Sequence, residues 1–131
     1  MKKLNKIVFI DDDEATNAYH KLMCEKTGFG NTVNFFINAE SAITFLKSIG
    51  SKDDFPDLIF VDIYMPEMNG HDFVKEVREM PAFNSGRTRI AHLTASLDIK
   101  DLIHSDESEV KHYYFKPIKE QELAQLINEN F

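Results

Sequence analysis

The sequence predicts a doubly wound α/β fold, a five-stranded parallel sheet with helices on both faces. Two short continuous apolar runs, Ile7-Val8-Phe9-Ile10 and Leu58-Ile59-Phe60-Val61, each stop at an aspartate, as strands buried on both faces of a parallel sheet do. Apolar residues at helical spacing lie between these runs and after them. The alternation of strand with helix continues along the chain, and it calls for right-handed crossovers between parallel strands.

In order, the first strand is Ile7 to Ile10. Tyr19, Leu22 and Met23 mark a helix closed by Gly28, and Val33 to Ile37 reads as an extended second strand. Ala42, Phe45, Leu46 and Ile49 place a second helix closed by Gly50. After the third strand, Tyr64-Met65-Pro66-Glu67-Met68 leads to Asn69, the expected N-cap of a helix with Phe73, Val74, Val77 and Met80 on one face. Pro81 ends that helix. Arg89 to Leu93 makes a fourth strand and Leu97 to Ile103 a short fourth helix. Tyr113 to Phe115 is the fifth strand, and Ile118 to Ile127 the last helix, carrying Leu123, Leu126 and Ile127. Phe35, Phe36 and Phe55 are assigned to the core.

Composition narrows the function. With 131 residues and 43% hydrophobic side chains, the chain has the size of one domain with one core. There are 22 acidic against 15 basic side chains, a net charge of −7, and the only basic cluster is Lys2, Lys3 and Lys6. Phosphate-backbone binding needs clustered cations, so direct nucleic-acid binding is not expected. Cys24 is the single cysteine and can form no internal disulfide or thiolate metal site. No apolar run approaches the roughly 20 residues that cross a bilayer. The apolar stretch after Lys6 is too short for a signal-peptide core, so Met1 is taken as the true start and the chain as soluble and cytoplasmic.

In doubly wound sheets, ligands bind outside the carboxyl ends of the strands. Those ends carry Asp11, Asp12 and Asp13 after the first strand, Asp62 after the third, Thr94 after the fourth, and Lys116-Pro117 after the fifth. Carboxylates gathered in one crevice repel and need a cation. Only oxygen ligands are on offer, which suits Mg²⁺ (or Mn²⁺), a hard ion that takes one or two carboxylates, waters and a phosphate oxygen. Lys116 adds a point charge and Thr94 a hydroxyl. Together they would stabilise a phosphoryl group moving in line onto a carboxylate, and Asp62, alone at its strand end, is the expected acceptor.

The chain resembles the receiver domains of response regulators in two-component signalling, from about Lys3 to the end, and most closely the single-domain chemotaxis type. The resemblance rests on the acidic cluster, on Val61-Asp62-Ile63-Tyr64-Met65-Pro66-Glu67-Met68-Asn69-Gly70, on Leu93-Thr94-Ala95 and on Phe115-Lys116-Pro117. It implies a flavodoxin-like (βα)5 fold. It further implies that Asp62 accepts phosphate from a phosphohistidine, that Asp11, Asp12, Asp62 and the Tyr64 backbone carbonyl hold the metal, and that Thr94 and Lys116 contact the phosphoryl group. The bond before Pro117 is one that is often cis in the family, and Tyr113 is the aromatic residue that moves with Thr94. The partners implied are a histidine kinase or histidine phosphotransfer protein and a downstream protein that meets the surface of the fourth helix, fifth strand and fifth helix. The expectation is a stand-alone receiver, residues 1–131, with no effector domain and no membrane partner.

Departures from the family lie at Asp106-Glu107-Ser108-Glu109-Val110, where it often has a small residue and Gly-Ala, and at Tyr64 and Ser96, which flank the path of the hydrolytic water. Tyr64 is expected to screen the acyl phosphate. Asp13 and Glu14 read as helix-start acids. No two of His20, His71, His92, His104 and His112 stand four apart, so they are taken as ordinary surface or strand residues. An enzyme-class rival is a haloacid-dehalogenase-like phosphatase with Asp11-x-Asp13, but Ala15 stands where that family has Thr or Val, and the chain is short for it. A flavin-binding flavodoxin would need a Ser/Thr/Gly-rich loop where this chain has Asp-Asp-Asp-Glu. A receiver that signals without phosphate is disfavoured by the complete residue set.

Overall fold

A computed structural model of the chain describes residues 2–95 and 110–131. Its strands are β1 (Leu4–Ile10), β2 (Gly30–Phe36), β3 (Leu58–Asp62), β4 (Arg89–Thr94) and β5 (His112–Phe115). They form one parallel sheet in the order β2-β1-β3-β4-β5. The described helices are α1 (Glu14–Thr27), α2 (Ala39–Lys47), α3 (Gly70–Arg78) and the C-terminal α4 (Glu120–Asn130), with a 3-10 turn at Lys52–Asp54. The doubly wound fold is as the sequence predicts. The helix expected over Leu97 to Ile103 lies outside the described residues.

Strand pleating divides the core in two. Val8, Ile10, Ile59 and Val61 face α2 and α3 and pack with Leu46, Phe73, Val74 and Val77. Ile7, Phe9, Leu58 and Phe60 point the other way, onto Met23, Ile118, Leu123 and Leu126. Each fully buried side chain of this size contributes roughly 1.5–3 kcal/mol. Because β1 and β3 are interior strands covered on both sides, Ile7 to Ile10 and Leu58 to Val61 are apolar and fully buried throughout, which makes them the clearest strands in the sequence. The edge strand β2 is different: Phe35 and Phe36 are only half-buried, and Ile37, expected to close the strand, lies beyond it and is 52% exposed.

The helix ends follow local chemistry. Asp13 caps α1 by accepting the Ala15 N–H and the Thr16 hydroxyl, and Gly28, at φ 67°, closes it with its N–H on Cys24 O. Asn69 caps α3 through the Asp72 N–H, as expected. The second helix stops at Lys47, short of Gly50, where the Ser48 hydroxyl turns back to Phe45 O. Asp57 joins the opposite edge of the sheet: one of its oxygens accepts the N–H groups of Asn5 and Lys6, and Arg87 approaches the other.

The inward face of α1 is rotated from the one the sequence suggested. Tyr19 and Leu22 are 46% and 67% exposed, and the buried positions are Thr16, Asn17, His20, Met23 and Cys24. His20, His71 and His92 are all buried, so the surface assignment fails for His20 and His71, while His92 is a strand residue. The His20 ring stacks on Phe9 with centroids 4.6 Å apart, and its Nε2 accepts the Ile118 N–H at 3.1 Å. Burial, helped by the Lys116 charge, lowers its pKa from 6.5 to about 4. The unfolded chain then takes a proton near pH 6.5 that the folded chain refuses until about pH 4, so stability falls as pH falls through that window. Between pH 6.5 and 5 the parent should lose about 1.5 kcal/mol more than His20→Gln, read from urea unfolding at each pH. Equal losses in the two proteins would contradict the assignment.

Candidate functional site

The carboxyl ends of β1, β3 and β5 bring three acids and one lysine together. Asp11 and Asp62 are 1% and 2% exposed, while Asp12 is open to solvent. One oxygen from each of the three lies within 4.8 Å of the others. The Lys116 ammonium donates to Asp62 Oδ2 at 2.8 Å and to Asp11 Oδ1 and Oδ2 at 3.2 and 3.3 Å.

Local backbone contacts set these positions. The Asp13 N–H donates to Asp11 Oδ1, and the Tyr64 N–H donates to Asp62 Oδ1, so each buried carboxylate is held by an amide two residues on. Asn17 fixes the turn after β1 from α1, donating its side-chain amide to Asp11 O and Phe36 O. Lys116 is placed by its own N–H on Thr94 O at 3.0 Å, which puts it beside the end of β4. The Lys116–Pro117 bond is cis, and the next residue, Ile118, is the one anchored by His20.

Charge in this crevice is strained. Burial raises the pKa of Asp62, with Lys116 offsetting part of the effect. Burial also raises Asp11, helped by the nearby Asp62 charge and opposed by the Asp13 N–H and Lys116. Burial alone would lower Lys116, but the Asp62 hydrogen bond and the Asp11 charge carry it above its ordinary value. Three oxygen-donor acids against one ammonium leave the cluster short of positive charge, and an oxygen-preferring divalent ion fits that donor set.

Thr94 is fully buried at the end of β4. Tyr113 lies on the α3 side of the sheet, its ring 5.1 Å from that of His92. The Tyr64 side chain is 51% exposed. Asp13 spends its carboxylate on capping α1.

The sequence gives Asn17 no role and His20 only that of an ordinary surface or strand residue, because what holds them is backbone belonging to other segments. Their spacing with Thr16, Met23 and Cys24 is a helical face, and that was the available signal. Gly70 follows the N-cap Asn69 in the sequence, and its need for glycine shows only in the fold. A Cβ there would lie 2.5 Å from Asp62 O and 3.0 Å from both Ile63 Cα and His92 Cε1, so only glycine lets α3 start against the end of β3.

Comparison with known proteins matches residues 7–128 to the response regulator receiver domain family. The chain belongs to that family. The receiver is 31% identical over 124 residues to the transcriptional regulatory protein CpxR of Klebsiella pneumoniae, covering 95% of this chain and 48% of CpxR. It therefore spans about half the length of that relative. An uncharacterized 14.6 kDa protein of Leptolyngbya boryana is 32% identical over 124 residues, 94% of this chain and 87% of that protein. The solved structure of the Vibrio cholerae chemotaxis protein CheY4 superposes with a TM-score of 0.81 at 20% identity, covering 98% of the receiver and 99% of CheY4, a likeness of fold. Phosphorylation and Mg²⁺ binding are typical of the family, and receivers are phosphorylated by histidine kinases. Among the described residues, no helix is long and apolar enough to cross a membrane.

Proposed function

We propose that this receiver accepts a phosphoryl group from a phosphohistidine onto Asp62. The observation that carries the reading is the Lys116 ammonium bridging Asp62 and Asp11, which holds a charge beside the acceptor carboxylate. An oxygen of Asp62 attacks phosphorus in line, the P–O bond forms as the P–N bond breaks, and the electron pair returns to the imidazole of the donor. Lys116 neutralises oxygens of the transferring group, and the Thr94 hydroxyl donates to another. A Mg²⁺ or Mn²⁺ ion held by Asp11, Asp12, Asp62 and the Tyr64 carbonyl would supply the remaining positive charge. Once phosphorylated, Asp62 carries more negative charge, Thr94 is drawn toward it, and Tyr113 follows.

The donor is a histidine kinase or histidine phosphotransfer protein, and the output is a changed surface around β5 and α4 that meets a downstream protein. Self-phosphorylation and loss of phosphate are the only reactions assigned. Capping by Asp13 supports this reading over a phosphatase using Asp11-x-Asp13.

Incubation with a phosphohistidine-loaded donor protein should transfer one phosphate per chain, with none taken up by Asp62→Asn. Steady turnover of a phosphatase substrate that survives Asp62→Asn and dies with Asp11→Asn would favour the rival. The half-exposed Tyr64 ring stands two residues from the acceptor, where it can impede hydrolytic water. Tyr64→Ala should therefore lose phosphate severalfold faster than the parent, and equal decay rates would contradict the screening role.

A further inference from the structure

The α3 face of the sheet holds a cluster of three rings that the phosphotransfer chemistry does not use. His92 is fully buried in β4, and its Nδ1 donates to Val61 O at 3.3 Å, next to the phosphoacceptor in sequence. The carbonyl can only accept, so this contact fixes the proton on Nδ1. The buried His71 ring, on the residue after Gly70, meets the His92 ring edge-on with centroids 5.0 Å apart. On its other flank, His92 lies 5.1 Å from the Tyr113 ring, whose hydroxyl is buried. The 3.0 Å from His92 Cε1 to the place of a Gly70 Cβ shows how tightly the ring fills the space under the Asp62–Gly70 turn.

We propose that His92 is a positioning residue for the response to phosphorylation, its ring being the link through which the Asp62–Gly70 turn sets the position of Tyr113. It rests on the reading of Asp62 as phosphoacceptor and Tyr113 as the residue that moves. His92 contacts the backbone of β3, the start of α3 and the aromatic ring of β5 at once. A displacement of the β3 end toward a phosphoryl group shifts Val61 O and Gly70, both of which bear on this ring. Densely packed rings pass such displacements on, because no void absorbs them. Thr94 provides one route from Asp62 to Tyr113 along the strand ends, and His92 provides a second beneath the sheet.

The test uses the full chain labelled with fluorotyrosine, with the Tyr113 resonance assigned by Tyr113→Phe and followed by fluorine NMR while Mg²⁺ and a small phosphodonor are added. Mass spectrometry reads the phosphate on Asp62 in parallel. His92→Leu, close in volume but without a ring, should take up phosphate to the parent's level while the Tyr113 shift falls by about half or more. His92→Phe, which restores a ring, should keep most of the shift. His71→Leu, which leaves β4 untouched, should also reduce it and serves if His92→Leu does not fold. A full shift in His92→Leu or, where that variant is unfolded, in His71→Leu overturns the proposal alone. A parent that takes up phosphate with no change at Tyr113 overturns the switch reading and this proposal with it. A parent that takes up none from this donor or from a cognate kinase overturns the phosphoacceptor reading.

Discussion

Lys116→Ala should slow phosphate uptake by the receiver on the order of 10²-fold while making it bind Mg²⁺ more tightly. Both effects come from one ammonium. Lys116 lies 2.8 Å from Asp62 Oδ2 and within 3.3 Å of both Asp11 oxygens, so it is the charge that would meet the transferring phosphoryl oxygens. Removing one preorganised stabilising donor typically costs about 10²–10³ in rate. The same change leaves Asp11, Asp12 and Asp62 with no cation among them, and a divalent ion then has more to neutralise. Lys116→Arg is not a mild control, because a planar guanidinium is larger and cannot replace a point charge in this crevice. The opposed directions separate this account from simple unfolding, which would weaken both. Uptake and a Mg²⁺ titration on the same sample check it, and uptake within twofold of the parent would contradict it.

Gly70→Ala should be among the most damaging single-methyl changes in the chain. The added carbon would lie 2.5 Å from Asp62 O and 3.0 Å from Ile63 Cα, and both are backbone that cannot rotate away. Relief requires α3 to lift from the end of β3, against the Gly70 N–H donating to Ile63 O at 2.8 Å. Overpacking of this kind costs about 1–3 kcal/mol, and the rigid contacts place it at the upper end. Because the displaced peptide belongs to Asp62, phosphate uptake should fall as well. Gly50→Ala is the control, since nothing lies within 4 Å of a Cβ there. A urea midpoint for Gly70→Ala equal to that of Gly50→Ala would refute the close-approach argument.

The parts of the fold that the sequence displayed are those where one side chain reports its own environment. The central strands are buried on both faces, so Ile7 to Ile10 and Leu58 to Val61 had to be apolar throughout. The site residues showed for a related reason: each ends a strand, and strand ends in this fold converge on one edge. The hidden parts depend on partners distant in sequence. His20 is buried because it accepts the N–H of Ile118, 98 residues away, and Asn17 because it bonds the chain ends of β1 and β2. Nothing local to α1 reveals such contacts, so Tyr19 and Leu22 looked like the inner face and are instead exposed. For β2, Phe35 and Phe36 looked like core, but an edge strand has only one neighbour to cover it.

The most direct measurement is the mass of the intact chain after incubation with Mg²⁺ and a small phosphodonor. The parent chain should gain one phosphoryl group and Asp62→Ala none, with Asp11 and Lys116 left in place. An unmodified parent under both a small donor and a cognate kinase, or an adduct that persists in Asp62→Ala, would contradict the reading of Asp62 as phosphoacceptor.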